Sequence, residues 1–94
     1  MIIIAGTLRV HPSDRSRYLE LASAATTLAR STPECLDFAQ SADPLESDRI
    51  NIFECWKSDA ALEAFRNLPD DGVQTPPILG ADVHRYRISG VEPA

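Results

Sequence analysis

Arg49-Ile50-Asn51-Ile52-Phe53-Glu54-Cys55-Trp56 runs directly into Lys57-Ser58-Asp59-Ala60-Ala61-Leu62-Glu63-Ala64-Phe65, and the change of period between the two halves decides how the rest is read. The first half is rich in β-branched and aromatic residues and alternates, with Ile50, Ile52 and Trp56 on one side and Phe53 and Cys55 on the other, so it is a strand. In the second half the apolar residues Ala61, Leu62, Phe65 and Leu68 recur at helical spacing. Ser58 is placed to accept from the free N–H groups of that helix start, and Pro69 closes the helix.

Working back from this unit, Asp43-Pro44-Leu45-Glu46-Ser47-Asp48 is turn chemistry. It is preceded by a second short strand, Cys35 to Ala42, with Leu36, Phe38 and Gln40 on one face. The short connection makes the two a hairpin. Upstream, Tyr18, Leu21, Ala22, Ala25, Leu28 and Ala29 form one apolar helical stripe. Ser13 is read as its N-cap, Asp14 suits the positive end of the helix dipole, and Ser31-Thr32-Pro33 ends it. Ile2 to Val10 is a first strand, with Ile2, Ile4 and Leu8 on one side and Ile3 and Ala5 on the other. Downstream, the Pro- and Gly-rich stretch 69–80 is read as an irregular loop, and Asp82 to Val91 as a last strand around Val83, Tyr86 and Ile88.

The order β-α-β-β-α-β with right-handed crossovers is the split, ferredoxin-like α+β arrangement, strand order 4-1-3-2, with both helices on one face. Two helices cover only one face of the sheet, yet the first and third strands are apolar on both. A second copy of the same sheet is the simplest cover, so a homodimer is expected.

Composition narrows the partners. The chain has 94 residues, read as one domain over 1–94, and its net charge of −5 with nine scattered Lys and Arg residues gives no positive footprint for nucleic acid. The apolar start Met1 to Ala5 soon reaches Arg9 and is too short for a signal core or a span, which implies a cytoplasmic protein with no membrane partner. Two histidines, His11 and His84, stand far apart without acidic brackets, so no metal site is expected. Cys35 and Cys55 could form one disulfide. Free thiols are the preferred reading, because diagonal positions on a hairpin sit roughly 7–8 Å apart and a reducing compartment keeps thiols open. No nucleophile elbow, phosphate loop or dinucleotide fingerprint is present.

The stretch Phe53-Glu54-Cys55-Trp56-Lys57-Ser58-Asp59-Ala60-Ala61-Leu62-Glu63-Ala64 resembles the (Y/F)-E-x-W-x-(S/D)-x-x-A-L-x-A-H signature of the antibiotic biosynthesis monooxygenase domains, and Arg9-Val10 before Pro12 resembles their usual start. The resemblance implies a dimeric α+β barrel, with a pocket in each subunit between sheet and helices. It implies a cofactor-independent monooxygenase that holds a quinol, phenol or anthrone, removes a proton and lets the electron-rich ring react with oxygen. One departure stands out: Phe65 occupies the position of the signature's histidine, where a proton-transfer group would sit. The departure favours a second reading, a non-catalytic dimeric binding or auxiliary protein. An isomerase or decarboxylase on the same barrel stays open, since one fold hosts many reactions. The haem-degrading branch uses an Asn on the first strand, a Trp on the second helix and a His beyond it. Gly6, Phe65 and Thr75 stand in the matching region, so haem is not expected.

Within this frame Glu54 and His84 are the candidate proton acceptors. Glu54 shares a face with Ile50, Ile52 and Trp56, where desolvation disfavours the charged form; the plainer reading is an ion pair to Arg85 or Arg87. His84 could face either way, and a lone strand histidine is more often a satisfied surface residue. Trp56, Phe65 and Phe38 are candidate ring-stacking walls and Tyr18 a pocket edge, each otherwise plain core. Arg66 and Arg85 are candidate anion partners, each otherwise a surface or ion-pair residue. Asn51 falls on the opposite strand face, away from the pocket.

Overall fold

A computed structural model describes residues 1–69 and 72–94. The strand at the centre of the sequence reading is β3 (Arg49–Trp56), and it joins β1 (Ile2–Val10), β2 (Cys35–Ala42) and β4 (Ile78–Arg87) in one sheet ordered β2-β3-β1-β4. All three neighbouring pairs are antiparallel. This is the expected split arrangement, read from the other edge. The helices α1 (Arg15–Arg30) and α2 (Asp59–Arg66) follow β1 and β3.

Register fixes which side chains meet the helices. Ile2 pairs with Trp56, Ile4 with Glu54 and Leu8 with Ile50, so the even-numbered residues of β1 and β3 share the helix-covered face. The alternate set, Ile3, Ala5, Asn51, Phe53 and Cys55, lies on the open face, where Phe53 is 38% exposed. Ile2, Ile4, Ala29, Phe38, Trp56 and Leu62 make one buried cluster. Val10, Tyr18, Ile50 and Ile52 make a second toward the other end of the sheet. Leu62 is wholly buried, and truncating such a residue to Ala costs about 2–5 kcal/mol.

Several sequence expectations need correction. The last strand spans Ile78–Arg87, not Asp82–Val91, because β1 pairs with it from Ile2 through Val10 and recruits Ile78 and Gly80 across a register shift at Arg9/Val10. The loop read over 69–80 therefore ends before Ile78; residues 70 and 71 of it lie outside the described residues. Ser13 is not the N-cap of α1. A 3-10 turn, Pro12–Asp14, precedes that helix, and the His11 ring nitrogen accepts from the Ser13 N–H at 3.2 Å. Ser58 does cap α2 as expected, accepting from Ala61 N. Leu28 turns out of the α1 stripe to 48% exposure, leaving Tyr18, Ala22 and Ala29 against the sheet.

In β2, Leu36 is the extra residue of a bulge: Cys35 stands opposite Trp56 while Asp37 stands opposite Cys55. The bulge flips the alternation, so Cys35 joins Phe38 on the helix side and Leu36 is exposed. Cys35 and Cys55 consequently lie on opposite faces rather than as diagonal neighbours, and both are free thiols.

The β2–β3 turn is tied down from α1. Arg15 Nη1 donates to the carbonyls of Asp43, Glu46 and Arg49 at 3.2, 2.8 and 3.4 Å. The Asp43 carboxylate accepts from Asn51 Nδ2 at 3.0 Å and from the N–H groups of Leu45 and Glu46 at 3.0 and 2.8 Å. Those donors hold Asp43 down at about 2, with the Asn51 amide the largest cause.

Candidate functional site

Ile4, Glu54 and Phe38 form one cross-strand row on the helix-covered face, and Gly6, Ile52 and Gln40 form the next. These two rows lie at the join of the buried clusters, and they hold what polarity this part of the face has. Trp56 Nε1 donates to Glu54 Oε1 at 3.0 Å. Glu54 takes part in no ion pair among the described residues, because the arginines expected to neutralise it are engaged elsewhere. Arg85 meets Asp59 at 2.6 Å and Glu63 at 3.1 Å, and Arg87 meets Asp59 at 2.7 Å. One Glu54 oxygen is thus oriented by the indole N–H and the other stays available.

Gln40 Oε1 is buried with no hydrogen-bond partner. A buried acceptor without a donor costs about 1–3 kcal/mol. Gly6, in the second row, is pressed against the backbone of β4. Its φ of +150° and the approach of β4 leave no room for a side chain, since a Cβ would fall 1.9 Å from the Asp82 carbonyl oxygen.

The aromatic residues pack more tightly than the sequence suggested. Trp56 and Phe65 have ring centroids 5.1 Å apart, Phe38 and Phe65 5.8 Å, and Phe38 and Trp56 6.5 Å edge to face. Each such pair adds about 0.5–1.5 kcal/mol beyond the area it buries. Trp56 and Phe38 are buried in the core. Phe65 is half-buried: it packs on the other two and also lines an open groove with Thr32, Glu34, Ala61, Ala64 and Leu68.

The remaining candidates are not brought together. His84 pairs in register with Ala5, which puts it on the open face, the far side of the sheet from Glu54. There its Nε2 meets Asp82 Oδ1 at 2.7 Å and its ring stands 6.5 Å from Tyr86. Val83, not His84, faces the core. Tyr18 belongs to the second cluster, and burial pushes its phenol up. Arg85 is an ion-pair residue, held above its ordinary value by the Glu63 hydrogen bond. Arg66 is exposed at the end of α2. Asn51 lies on the open face and serves the Asp43 turn. Gln40 was not singled out from sequence; the signal for it is a polar side chain two residues from Phe38 on a strand face otherwise committed to the core.

The fold and site define an α+β sheet protein whose helix-covered face carries a carboxylate among aromatic rings. The chain belongs to the antibiotic biosynthesis monooxygenase family, whose model matches residues 1–70. It resembles a Deinococcus radiodurans crystal structure classed with those monooxygenases, with TM-score 0.85, 19% identity, and coverage of 100% of this chain and 98% of that one. It also resembles the haem-degrader MhuD of Mycobacterium tuberculosis, solved with two haems bound, with TM-score 0.71, 16% identity, and coverage of 99% and 100%. An uncharacterized Synechocystis protein is 29% identical over 93 residues, covering 94% of this chain but only 63% of that protein. At these identities the two structures establish the fold alone.

Neither histidine belongs to either buried cluster, and Gly6 has no room for a side chain.

Proposed function

We propose that the protein binds a small quinol, phenol or anthrone between sheet and helices and that Glu54 removes its proton, leaving the electron-rich ring to react with oxygen. The observation carrying this reading is the pairing of an indole-oriented Glu54 carboxylate with the unpartnered Gln40 Oε1 on one face. Two acceptors suit a ring bearing two hydroxyl donors. For an anthrone-type ring the balance closes without a further reductant. The reacting CH2 gives up two hydrogens and four electrons, one oxygen atom becomes its carbonyl, and the other leaves as water. The chain's part is to orient the ring, exclude water and take the first proton.

The working unit in this reading is a homodimer joined through the open face, where Ile3, Ala5, Phe53, Cys55 and Tyr86 offer apolar cover. No helix among the described residues is long and apolar enough to cross a membrane.

Oxygen uptake above the buffer rate with anthrone or 1,4-naphthohydroquinone, without added flavin or metal, tests the proposal. Glu54→Gln is expected to lower kcat at least 100-fold, in line with loss of a general base, and Gln40→Leu to raise KM. Uptake that survives Glu54→Gln unchanged overturns the assignment. A second reading, a binding protein without turnover, is favoured by the Phe65 ring packed on Trp56 and Phe38, which puts no proton-transfer group at that position. Saturable ring binding with no uptake is its signature.

A further inference from the structure

Phe65 has no proton to give or take, and its surroundings assign its ring a different task. Trp56 is wholly buried, and its Nε1–H reaches back along β3 to Glu54 Oε1 at 3.0 Å. Residues two apart on a strand lie roughly 6.5–7 Å apart at Cα, so the indole must lie along the strand for that contact to form. The torsion that turns an indole about its Cβ–Cγ bond is broad and roughly two-fold, so the bond alone does not choose which edge faces Glu54. A turned ring would carry its N–H away from the carboxylate and bury it, where a donor without a partner is costly.

Two neighbouring rings hold the indole plane. Phe65 packs on it with centroids 5.1 Å apart and planes 43° apart. Phe38, opposite Glu54 in register, meets it at 6.5 Å with planes 86° apart. Phe38 and Phe65 are themselves 5.8 Å apart, so the three rings brace one another. Phe65 is the only one of them carried by a helix, and that helix is fixed at several points. Ser58 caps α2 directly after β3, Leu62 is wholly buried about one turn before Phe65, and Asp59 and Glu63 pair with Arg85 and Arg87 of β4. The nearby Ala61 and Ala64 side chains are too short to replace the ring.

We propose that Phe65 is a positioning residue for Glu54, acting through Trp56: its ring holds the indole so that the N–H fixes one carboxylate oxygen and the other stays free for the substrate proton. The proposal rests on Glu54 as the proton acceptor. It gives the aromatic residue at the signature's histidine position a part in the reaction without any proton transfer of its own.

Trp56 is the only tryptophan, so one indole N–H resonance of the full chain reports the contact without turnover. Glu54→Gln is expected to move that resonance. Phe65→Leu is expected to move it too and to speed its exchange with D2O about ten-fold or more, as loss of a hydrogen bond to a charged group does. Phe65→Met, similar in bulk but without a ring, is the second variant should the leucine protein fold poorly. Phe65→Tyr keeps the ring and is expected to keep the parent resonance. In oxygen uptake Phe65→Leu is expected to lower kcat about 10- to 100-fold with KM within about two-fold of the parent. In a Glu54→Gln background the same substitution is expected to change kcat by less than about two-fold, because an absent base cannot be misplaced. An indole resonance and exchange rate unchanged in Phe65→Leu and Phe65→Met, an equal kcat loss with and without Glu54, or a rise in KM alone each overturn the proposal. A parent protein without oxygen uptake counts against Glu54 as the base, and the indole signal then decides by itself whether Phe65 positions that carboxylate.

Discussion

Replacing Gly6 with Ala tests the close contact on which the β1–β4 half of the sheet is built. The added Cβ would lie 1.9 Å from the Asp82 carbonyl oxygen and 2.8 Å from the Val83 Cα, both backbone atoms that cannot rotate away. Two costs add. A φ of +150° is foreign to an L side chain and costs about 1–3 kcal/mol, and forcing apart packed backbone costs about 1–3 kcal/mol more. A total near 4 kcal/mol is a large share of a stability of about 5–15 kcal/mol. At about 4–8 °C per kcal/mol for a domain of this size, Tm should fall by roughly 16–32 °C. Circular dichroism melts of Gly6→Ala beside the parent protein measure it, with urea midpoints as a second readout if the variant melts near room temperature. A melt within about 3 °C of the parent would refute the reasoning, because β4 would then be free to give way.

Three further outcomes follow from contacts already described. Phe53→Asp should convert a dimer to monomer by light scattering at micromolar concentration while leaving the far-ultraviolet spectrum intact; a parent already monomeric there removes the proposed sheet-to-sheet interface. Asp43 sits at about 2 against an ordinary 3.8, so the stability it contributes is present above 3.8 and lost as the pH falls through about 2. Asp43→Asn should flatten the acid limb of a Tm-against-pH curve in that window, and an unchanged limb contradicts the turn network. Burial pushes both the Cys35 and Cys55 thiols up, so each should alkylate slowly in native protein near pH 7 and promptly after unfolding; only the recovery of a disulfide-linked peptide would contradict free thiols.

The element order and the two-sided character of β1 and β3 were legible because they depend on period alone. Ser58 was legible as a cap for the same local reason. What escaped the sequence reading was decided by pairing. The β4 boundaries depend on how far β1 reaches, and no local signal in Ile78-Leu79-Gly80 announces a strand. The Leu36 bulge reversed the alternation of β2, which moved Cys35 to the helix side and took Leu36 off the face shared with Phe38. His84 could be given a face only after its register with Ala5 was known. Glu54 was placed correctly because β3 has no bulge, but its partner could not be foreseen: Arg85 and Arg87 are drawn away by Asp59 and Glu63 on α2, a helix whose position over β4 is a tertiary fact.

The sheet order carries a consequence for synthesis on the ribosome. β1 is central, yet both of its partners, β3 and β4, are made after it, while the β2–β3 hairpin is local and can close as soon as it emerges. From the moment Ile2-Ile3-Ile4 clears the exit tunnel until Trp56 does, the most apolar strand of the nascent chain has neither edge paired and no sheet to join. Unpaired apolar strand edges associate with other chains, so this interval is when the protein is most prone to aggregate and when a chaperone that shields extended apolar segments would matter most. A stalled chain released before residue 49 should therefore be far less soluble than one released after α2, even though the longer chain contains more apolar residues.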